Sequence, residues 1–198
     1  MRTIHFANIE MTPNFTRYYP MIDEKNIKAD PASQLEHPIG NGAPDVGEVA
    51  EKNDEFFMRI AMELAREAES IDEVPVGALV VRDGEIIATA FNTRESSKCA
   101  THHAEILAIE GACRALGGWR LPGVTLYVTM EPCAMCAGAI INARVPRVVY
   151  GCPDLRFGAF GSLIDLSSVG LNHKPQVIGG VLGDECREML TSYFRKKR

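Results

Sequence analysis

Two short stretches of the chain, thirty positions apart, contain residue types that zinc enzymes use. The first holds His103 and Glu105, and the second holds Cys133 and Cys136 directly after Pro132. A catalytic zinc takes three protein ligands and keeps its fourth position for water, and one His with two Cys is a known ligand set. Water bound to a metal loses a proton near neutral pH and becomes a nucleophile. We therefore predict that His103, Cys133 and Cys136 bind Zn²⁺, and that Glu105 carries protons between this water and a substrate.

The spacing of the two cysteines places them on one face of a predicted helix that begins at Pro132, a residue suited to a first helical turn. In the first turn the helix dipole favours thiolates, and unpaired amides such as that of Cys133 could hold an oxyanion. His103 and Glu105 then have to come from the start of a facing helix. Residues two apart point in different directions there, so one can bind the metal while the other reaches the substrate.

Other interpretations of these residues exist. The cysteine pair could be a redox couple, although that would not explain His103 and Glu105. It could also hold a structural zinc, but such a site normally has a fourth protein ligand, and none follows at finger-like spacing. We interpret His102 as a loop residue. We also expect the remaining cysteines to be small buried side chains without a chemical role; they are Cys99, Cys113, Cys152 and Cys186.

Hydrophobic periodicity and turn residues predict alternating helices and strands around these stretches. The Asp83-Gly84 pair between two β-rich runs indicates a hairpin, and Gly117-Gly118 indicates a helix end. Helices that alternate with strands predict a three-layer α/β domain whose sheet lies between helices. We predict helices at 54–69 (capped by Asn53 or Asp54), 103–116, 132–142 and 184–198, and strands at 76–82, 85–91, 124–129, 147–150 and 176–178.

Composition divides the chain into an extension and a domain. Residues 1–50 hold five of the eleven prolines and show no helical or strand periodicity, so we predict a mobile extension followed by one domain at 51–198. We find no membrane span and no secretory signal, which leaves a reducing cytoplasm as the expected compartment. Residues 51–140 carry 8 basic and 14 acidic side chains, whereas residues 141–198 carry 9 basic and 5 acidic ones. The second part could face a polyanion, or could simply be solvated.

The His-x-Glu and Pro-Cys-x-x-Cys pair is the signature of zinc nucleobase deaminases, and the similarity extends over about 54–198. The sequence resembles the family of tRNA-specific adenosine deaminases. This resemblance implies a cytidine deaminase-like α/β/α fold with a five-stranded mixed sheet, and hydrolytic deamination of adenosine to inosine at the wobble position. It also implies a tRNA anticodon stem-loop as partner and a homodimer. The matching runs are EVPVGA (73–78), LYVTMEPCAMCAGAI (126–140), RVVYG (147–151), GSL (161–163) and YFR (193–195).

The resemblance also implies roles for four further residues. Asn92 matches an asparagine that hydrogen-bonds the flipped base, and Asp154 matches an acidic residue near the RNA backbone. Asn172 and His173 lie where the family approaches the anticodon loop. Solvated loop or turn residues are the alternative for each of the four. A deaminase of a free base, nucleoside or nucleotide remains an alternative function, as does a catalytically silent zinc subunit, although the intact Glu105 weighs against the latter.

Overall fold

The computed structural model describes residues 46–198, with side chains from residue 53 onward. Of the extension predicted over residues 1–50, residues 1–45 lie outside this part of the chain, whereas residues 46–50 belong to a helix. The helices are α1 Val46–Ser70, α2 Arg94–Ser97, α3 Ala104–Leu116, α4 Ala134–Asn142 and α5 Gly183–Lys196. The strands are β1 Gly77–Arg82, β2 Glu85–Phe91, β3 Val124–Met130, β4 Arg147–Cys152 and β5 Gln176–Gly179.

Helix α1 begins earlier than the sequence predicts. The expected caps, Asn53 or Asp54, lie inside a helix that starts at Val46. The Asp54 carboxylate makes tertiary contacts instead, because it accepts hydrogen bonds from the Tyr127 hydroxyl and the Arg147 guanidinium, both at 2.9 Å. A polar residue before an apolar run is typical of a helix cap, but the Asp54 side chain instead binds residues that are far away in the chain.

The predicted hairpin is confirmed. Strands β1 and β2 pair antiparallel from Gly77 opposite Phe91 to Arg82 opposite Glu85. Asp83 and Gly84 both have positive φ, 52° and 79°, as a two-residue turn requires if its twist is to match that of the strands.

The five strands form one mixed sheet in the order β2-β1-β3-β4-β5, as the predicted fold class implies. Strand β1 is antiparallel to β2 and β3, whereas β3, β4 and β5 run parallel. The carboxyl ends of these three strands therefore share one edge of the sheet, which we call the carboxyl edge. The opposite edge, where the three strands begin, is the amino edge.

Helices cover both faces of the sheet. An added Cβ at Gly77 would overlap the Ala61 carbonyl in α1, and one at Gly111 in α3 would lie 3.0 Å from Cβ of Ala88 in β2. Ala88 is opposite Val80 in β1, so these two side chains share a face. Positions 77 and 80 are an odd number of residues apart and face opposite sides, so α1 and α3 lie on opposite faces. Strand β1 is consequently buried on both sides from Gly77 to Val81.

In the part of the chain that the structure describes, no helix combines the length and the apolar character needed to cross a bilayer.

Candidate active site

His103 is presented by the N-terminus of α3. It is the N-cap residue, with extended backbone at φ −76° and ψ 151°. Helix α3 ends as the sequence predicts, at Gly117, which has the left-handed conformation at φ 71°. Glu105, in the first turn, is buried with 4% of its surface exposed. The two residues leave the helix start in different directions, because one is the cap and the other belongs to the first turn.

The two cysteines are presented by the N-terminus of α4, but the helix begins two residues later than the sequence predicts. Cys133 is the N-cap residue and α4 starts at Ala134, so Pro132 precedes the helix instead of occupying its first turn. Local pairing explains the shift, because Cys133 forms an antiparallel bridge with Gly158, and the Ala159 amide donates to the Pro132 carbonyl at 2.9 Å. Cys136 lies in the first turn and is completely buried.

His103, Cys133 and Cys136 lie together, with their ligand atoms all within 4.8 Å of one another. His103 Nδ1 is 3.7 Å from Sγ of Cys133 and 3.5 Å from Sγ of Cys136. A tetrahedral zinc with ordinary bond lengths to sulfur and nitrogen separates these atoms by about 3.6 Å. The donor set and its spacing therefore fit a zinc ion, with Nδ1 as the histidine donor. The fourth tetrahedral position is left for a small molecule, since the three protein ligands supply one atom each.

The two thiols have pKa values that move in opposite directions. A hydrogen bond from the Cys136 thiol lowers the pKa of Cys133 to about 4. The same hydrogen bond, together with burial, raises the pKa of Cys136 well above its usual range. The hydrogen bond between the two thiols therefore makes Cys133 easier to ionise than Cys136. A divalent cation would stabilise both thiolates.

Burial raises the pKa of the Glu105 carboxyl group, because a low-dielectric environment disfavours its charged form. The hydrogen bond to Cys133 raises the pKa of His103, and burial opposes this effect. A carboxyl group that is buried beside two thiols and an imidazole can both accept and donate a proton.

Asn92 lies beside this cluster and helps to build it. Its Oδ1 accepts from the Ala104 amide at 2.9 Å, at the start of α3, and its Nδ2 donates to the Val74 carbonyl at 3.3 Å. A side-chain amide has two donor and two acceptor positions, and these bonds use one of each. Asn92 therefore fixes the helix that carries His103 and keeps hydrogen-bonding capacity for a ligand.

The other three residues implied by the resemblance are not all near the cluster. Asp154 follows β4 at the carboxyl edge, and its Oδ1 accepts from the Arg156 amide at 2.9 Å. Asn172 and His173 lie at the amino edge instead. Arg144 donates to Asn172, and His173 Nε2 donates to the Val145 carbonyl at 2.7 Å, beyond the C-terminal end of α4. The structure therefore does not bring Asn172 and His173 to the metal-binding residues, which occupy the opposite end of α4.

No sequence motif predicted a role for Glu131, a carboxylate that directly follows β3 and has only 3% of its surface exposed. It accepts hydrogen bonds from backbone amides of the loop after β4. Its position in the sequence could have indicated a role, because this charged residue directly follows the apolar run of β3 and precedes the Pro-Cys motif.

A basic groove lies at the carboxyl edge of the sheet, and none of the metal-binding residues lines it. It has a volume of about 770 Å³ and lies between α5 and the residues that follow β4. Its apolar lining includes Met130, Leu190 and Phe194, and its cationic side chains are Arg156, Arg187, Arg195, Lys197 and Arg198. All five of these cationic side chains belong to residues 141–198, the part of the sequence in which basic residues outnumber acidic ones.

Comparison with known proteins places residues 52–198 in a family described as MafB19-like deaminase. The chain is 49% identical over 146 residues to the tRNA-specific adenosine deaminase of Bacillus subtilis, which covers 73% of this chain and 91% of that protein. A solved structure from a study of A-to-I editing by tRNA:A34 deaminases is 46% identical. It covers 68% of this chain and 99% of its own, with a TM-score of 0.66. A guanine deaminase structure from Nitrosomonas europaea is 27% identical, covers 80% and 88% of the two chains, and has a TM-score of 0.62.

Proposed function

The chain belongs to the family of tRNA-specific adenosine deaminases, and on that premise we propose that it hydrolyses adenosine at the wobble position of tRNA to inosine and ammonia. The observation that carries this proposal is the convergence of His103, Cys133 and Cys136 at a spacing that fits zinc, with the buried Glu105 beside them. The extent of the similarity to proteins named as tRNA deaminases favours adenosine in tRNA as the substrate.

Zn²⁺ is the proposed cofactor, held by His103 Nδ1 and the two cysteine sulfurs. When bound, it lowers the pKa of a coordinated water and so supplies a nucleophile near neutral pH. Glu105 would accept a proton from the attacking water and deliver it to N1 of adenine as the C6–O bond forms. Glu105 then transfers the second proton from the C6 hydroxyl to the amino group, the C6–N bond breaks, and ammonia leaves. The raised pKa of Glu105 suits this role, because the protonated form has to be accessible.

The bound base requires groups that select and orient it. We assign Asn92 to a hydrogen bond with the flipped base, since its amide keeps one donor and one acceptor position and lies next to His103. Asp154 is assigned to the RNA backbone near the target nucleotide. Asn172 and His173 lie at the other end of α4, so any RNA contact they make is to nucleotides far from the target base. The basic groove supports a polyanionic partner.

Replacement of Glu105 by glutamine tests the mechanism. The amide keeps the size of the side chain but cannot accept and return a proton, so we expect one zinc per chain and a loss of inosine formation of at least about 100-fold. Zinc is measured by elemental analysis, and inosine by mass spectrometry of digested tRNA. Glu110→Gln is the matched control, because Glu110 is on the same helix but half exposed beside Arg114. Retained turnover in the Glu105 variant would assign the proton transfer to another group.

A substrate panel tests the activity itself. The zinc-loaded protein receives total tRNA, free adenosine, cytidine and guanine in parallel, and we expect product only from tRNA. Guanine is included because the guanine deaminase of N. europaea has a similar fold. Turnover of a free base or nucleoside without turnover of tRNA would replace the proposed function by the corresponding small-molecule deaminase. A zinc-loaded protein that is inactive on all four would indicate a silent subunit.

We also propose a homodimer in the cytoplasm. Large apolar side chains exposed on α4 and on the segment between β4 and β5 support a subunit interface; they include Met135, Leu163, Ile164, Val169 and Leu171. The six cysteines form no disulfide within the described residues, which hold them all, and this supports a reducing compartment. The mass of one chain is 21.7 kDa, and analytical ultracentrifugation should give twice this value. A monomer that becomes active only with a second, different chain would indicate a heterodimer.

A further inference from the structure

Glu131 is a buried carboxylate whose hydrogen bonds all point to one loop. Its Oε1 accepts from the amides of Phe160 at 3.0 Å and Ser162 at 3.1 Å, and its Oε2 accepts from the amide of Asp154 at 3.0 Å. Because only 3% of the Glu131 surface is exposed, hydrogen bonds from these amides replace the water that would otherwise solvate the carboxylate. Hydrogen bonds to an ionised acceptor are among the stronger ones in proteins.

The loop held by Glu131 also pairs with the metal-binding segment. We call residues 153–162 the anchored loop. Its residue Gly158 forms an antiparallel bridge with Cys133, and the Ala159 amide donates to the Pro132 carbonyl at 2.9 Å. Glu131 therefore connects two backbone segments. One presents Cys133, and the other is the anchored loop.

Gly158 is required for this approach. An added Cβ would overlap the Glu131 carboxyl group and would lie 2.5 Å from the Asp154 carbonyl oxygen. A side chain at this position would separate the loop from Glu131 even with the carboxylate intact. Two residues are therefore needed for this contact: Glu131 is the buried hydrogen-bond acceptor, and Gly158 lets the loop approach it.

The anchored loop is fixed on its inner side and exposed on its outer side. Ala159 is completely buried and Phe160 is 7% exposed. In contrast, Leu155 is 76% and Phe157 is 63% exposed, and the Arg156 guanidinium lies 5.8 Å from the centre of the Phe157 ring. The exposed tip carries an apolar surface and a cation next to the basic groove, a composition suited to a nucleotide whose base stacks and whose phosphate is anionic.

We propose that Glu131 is a positioning residue for the proposed deamination, and this inference rests on that function. Its carboxylate fixes the anchored loop so that Asp154, Arg156 and Phe157 meet the RNA in a preformed arrangement. Glu131 itself does not touch the substrate or the metal. Its loss should therefore weaken substrate binding, measured as KM, far more than turnover, measured as kcat, because helices α3 and α4 still present Glu105 and the three metal-binding residues.

Amide hydrogen exchange followed by NMR tests the anchoring without any measurement of activity. In Glu131→Ala, we expect the amides of Asp154, Phe160 and Ser162 all to exchange about tenfold faster or more. In Glu131→Gln, the carbonyl oxygen can still accept from Phe160 and Ser162, whereas its NH₂ group faces the Asp154 amide. Faster exchange should then be confined to Asp154. Unchanged exchange in the alanine variant would overturn the proposal.

Steady-state kinetics with tRNA test the consequence. We expect KM to rise about tenfold in Glu131→Ala and in Gly158→Ala, with kcat within about threefold of wild type and one zinc per chain. The glutamine variant should be intermediate. Asp54→Asn is the matched control, because it also alters a buried carboxylate but lies near the amino edge with Arg147. It should lower stability without a change in KM or in loop exchange.

The outcomes separate the two proposals. A wild-type protein that forms no inosine in tRNA would contradict the proposed function, and the exchange data would still decide whether Glu131 holds the loop. An active wild type whose Glu131→Ala variant keeps its KM, or loses zinc or kcat instead, would overturn the positioning role. If the alanine variant does not fold, Glu131→Gln and Gly158→Ala decide the question by the same measurements.

Discussion

The side chains of the cluster do not all have the same contact with solvent. Cys136 is completely buried in the first turn of α4, whereas His103 and Cys133 are partly exposed. A buried thiol next to a second thiol has a raised pKa unless a cation neutralises the pair. Cys136 thus depends most on a bound metal ion, because no water can solvate its thiolate.

Removal of this ligand should abolish the proposed metal site. We expect Cys136→Ala to bind zinc more than about 100-fold more weakly than wild type, because the loss of a direct ligand exceeds the 10- to 100-fold effect typical of outer residues. Competition with a chromogenic chelator measures the affinity. Cys186→Ala is the control, since Cys186 is also buried but lies in α5. Equal zinc affinity in the two variants would contradict the ligand assignment.

At the scale of secondary-structure elements, a buried polar group ties α1 to the sheet. Asp54 in α1 pairs with Arg147 in β4 at 2.6 Å and accepts from the Tyr127 hydroxyl in β3. Burial raises the pKa of Tyr127 well above its usual range, and the hydrogen bond to Asp54 adds to this effect. The neutral hydroxyl is therefore part of the folded structure.

This contact predicts a loss of stability in alkaline solution. The unfolded tyrosine loses its proton near pH 10, whereas the folded one retains it, so the free energy of unfolding falls as pH rises above about 10. Between pH 9 and 11, wild type should lose about 1.4 kcal/mol more than Tyr127→Phe, which has no proton to release. Urea unfolding at each pH measures the difference. Parallel pH profiles for the two proteins would show that Tyr127 titrates normally in the folded state.

At the scale of the whole molecule, basic side chains from residues 141–198, where they outnumber acidic ones, come together in one groove. The net charge is −5, yet five cationic side chains line the groove at the carboxyl edge. Some of them have acidic neighbours, since Arg187 pairs with Asp184 at 2.8 Å and Lys197 pairs with Asp72. The negative total therefore does not exclude a polyanionic partner, because the field near the groove depends on local charge.

Binding of an anticodon stem-loop should weaken with salt. If about four phosphates are neutralised, affinity falls about 50-fold between 50 and 200 mM salt, with a slope of about 0.7 per phosphate for single-stranded RNA. Arg195→Ala should reduce this slope by about 0.7. Fluorescence anisotropy measures it, with Glu105→Gln as background so that the RNA stays unmodified. Arg82→Ala is the control, because Arg82 is opposite Val124 at the amino edge. Binding that is indifferent to salt would favour a nucleoside enzyme.

The sequence by itself determined the features that depend on neighbours in the chain. Apolar periodicity and turn residues such as Asp83-Gly84 and Gly117 predicted the elements, because backbone conformation is set largely by local sterics and hydrogen bonding. The types and offsets of the four residues at the candidate site indicated a metal and its proton carrier, since ligand chemistry is a property of the side chain. Even here the ends of helices shifted, as Asp54 and Pro132 show.

Only the tertiary structure decided which residues from distant parts of the chain meet. It set the strand order, placed His103 Nδ1 within 3.7 Å of both cysteine sulfurs, and put Asn172 and His173 at the amino edge. It also revealed that Glu131 holds a loop whose residues follow it by more than twenty positions. Such contacts depend on the packing of helices and strands against one sheet. No local propensity encodes them, because the free energy that fixes them comes from burial shared by the whole domain.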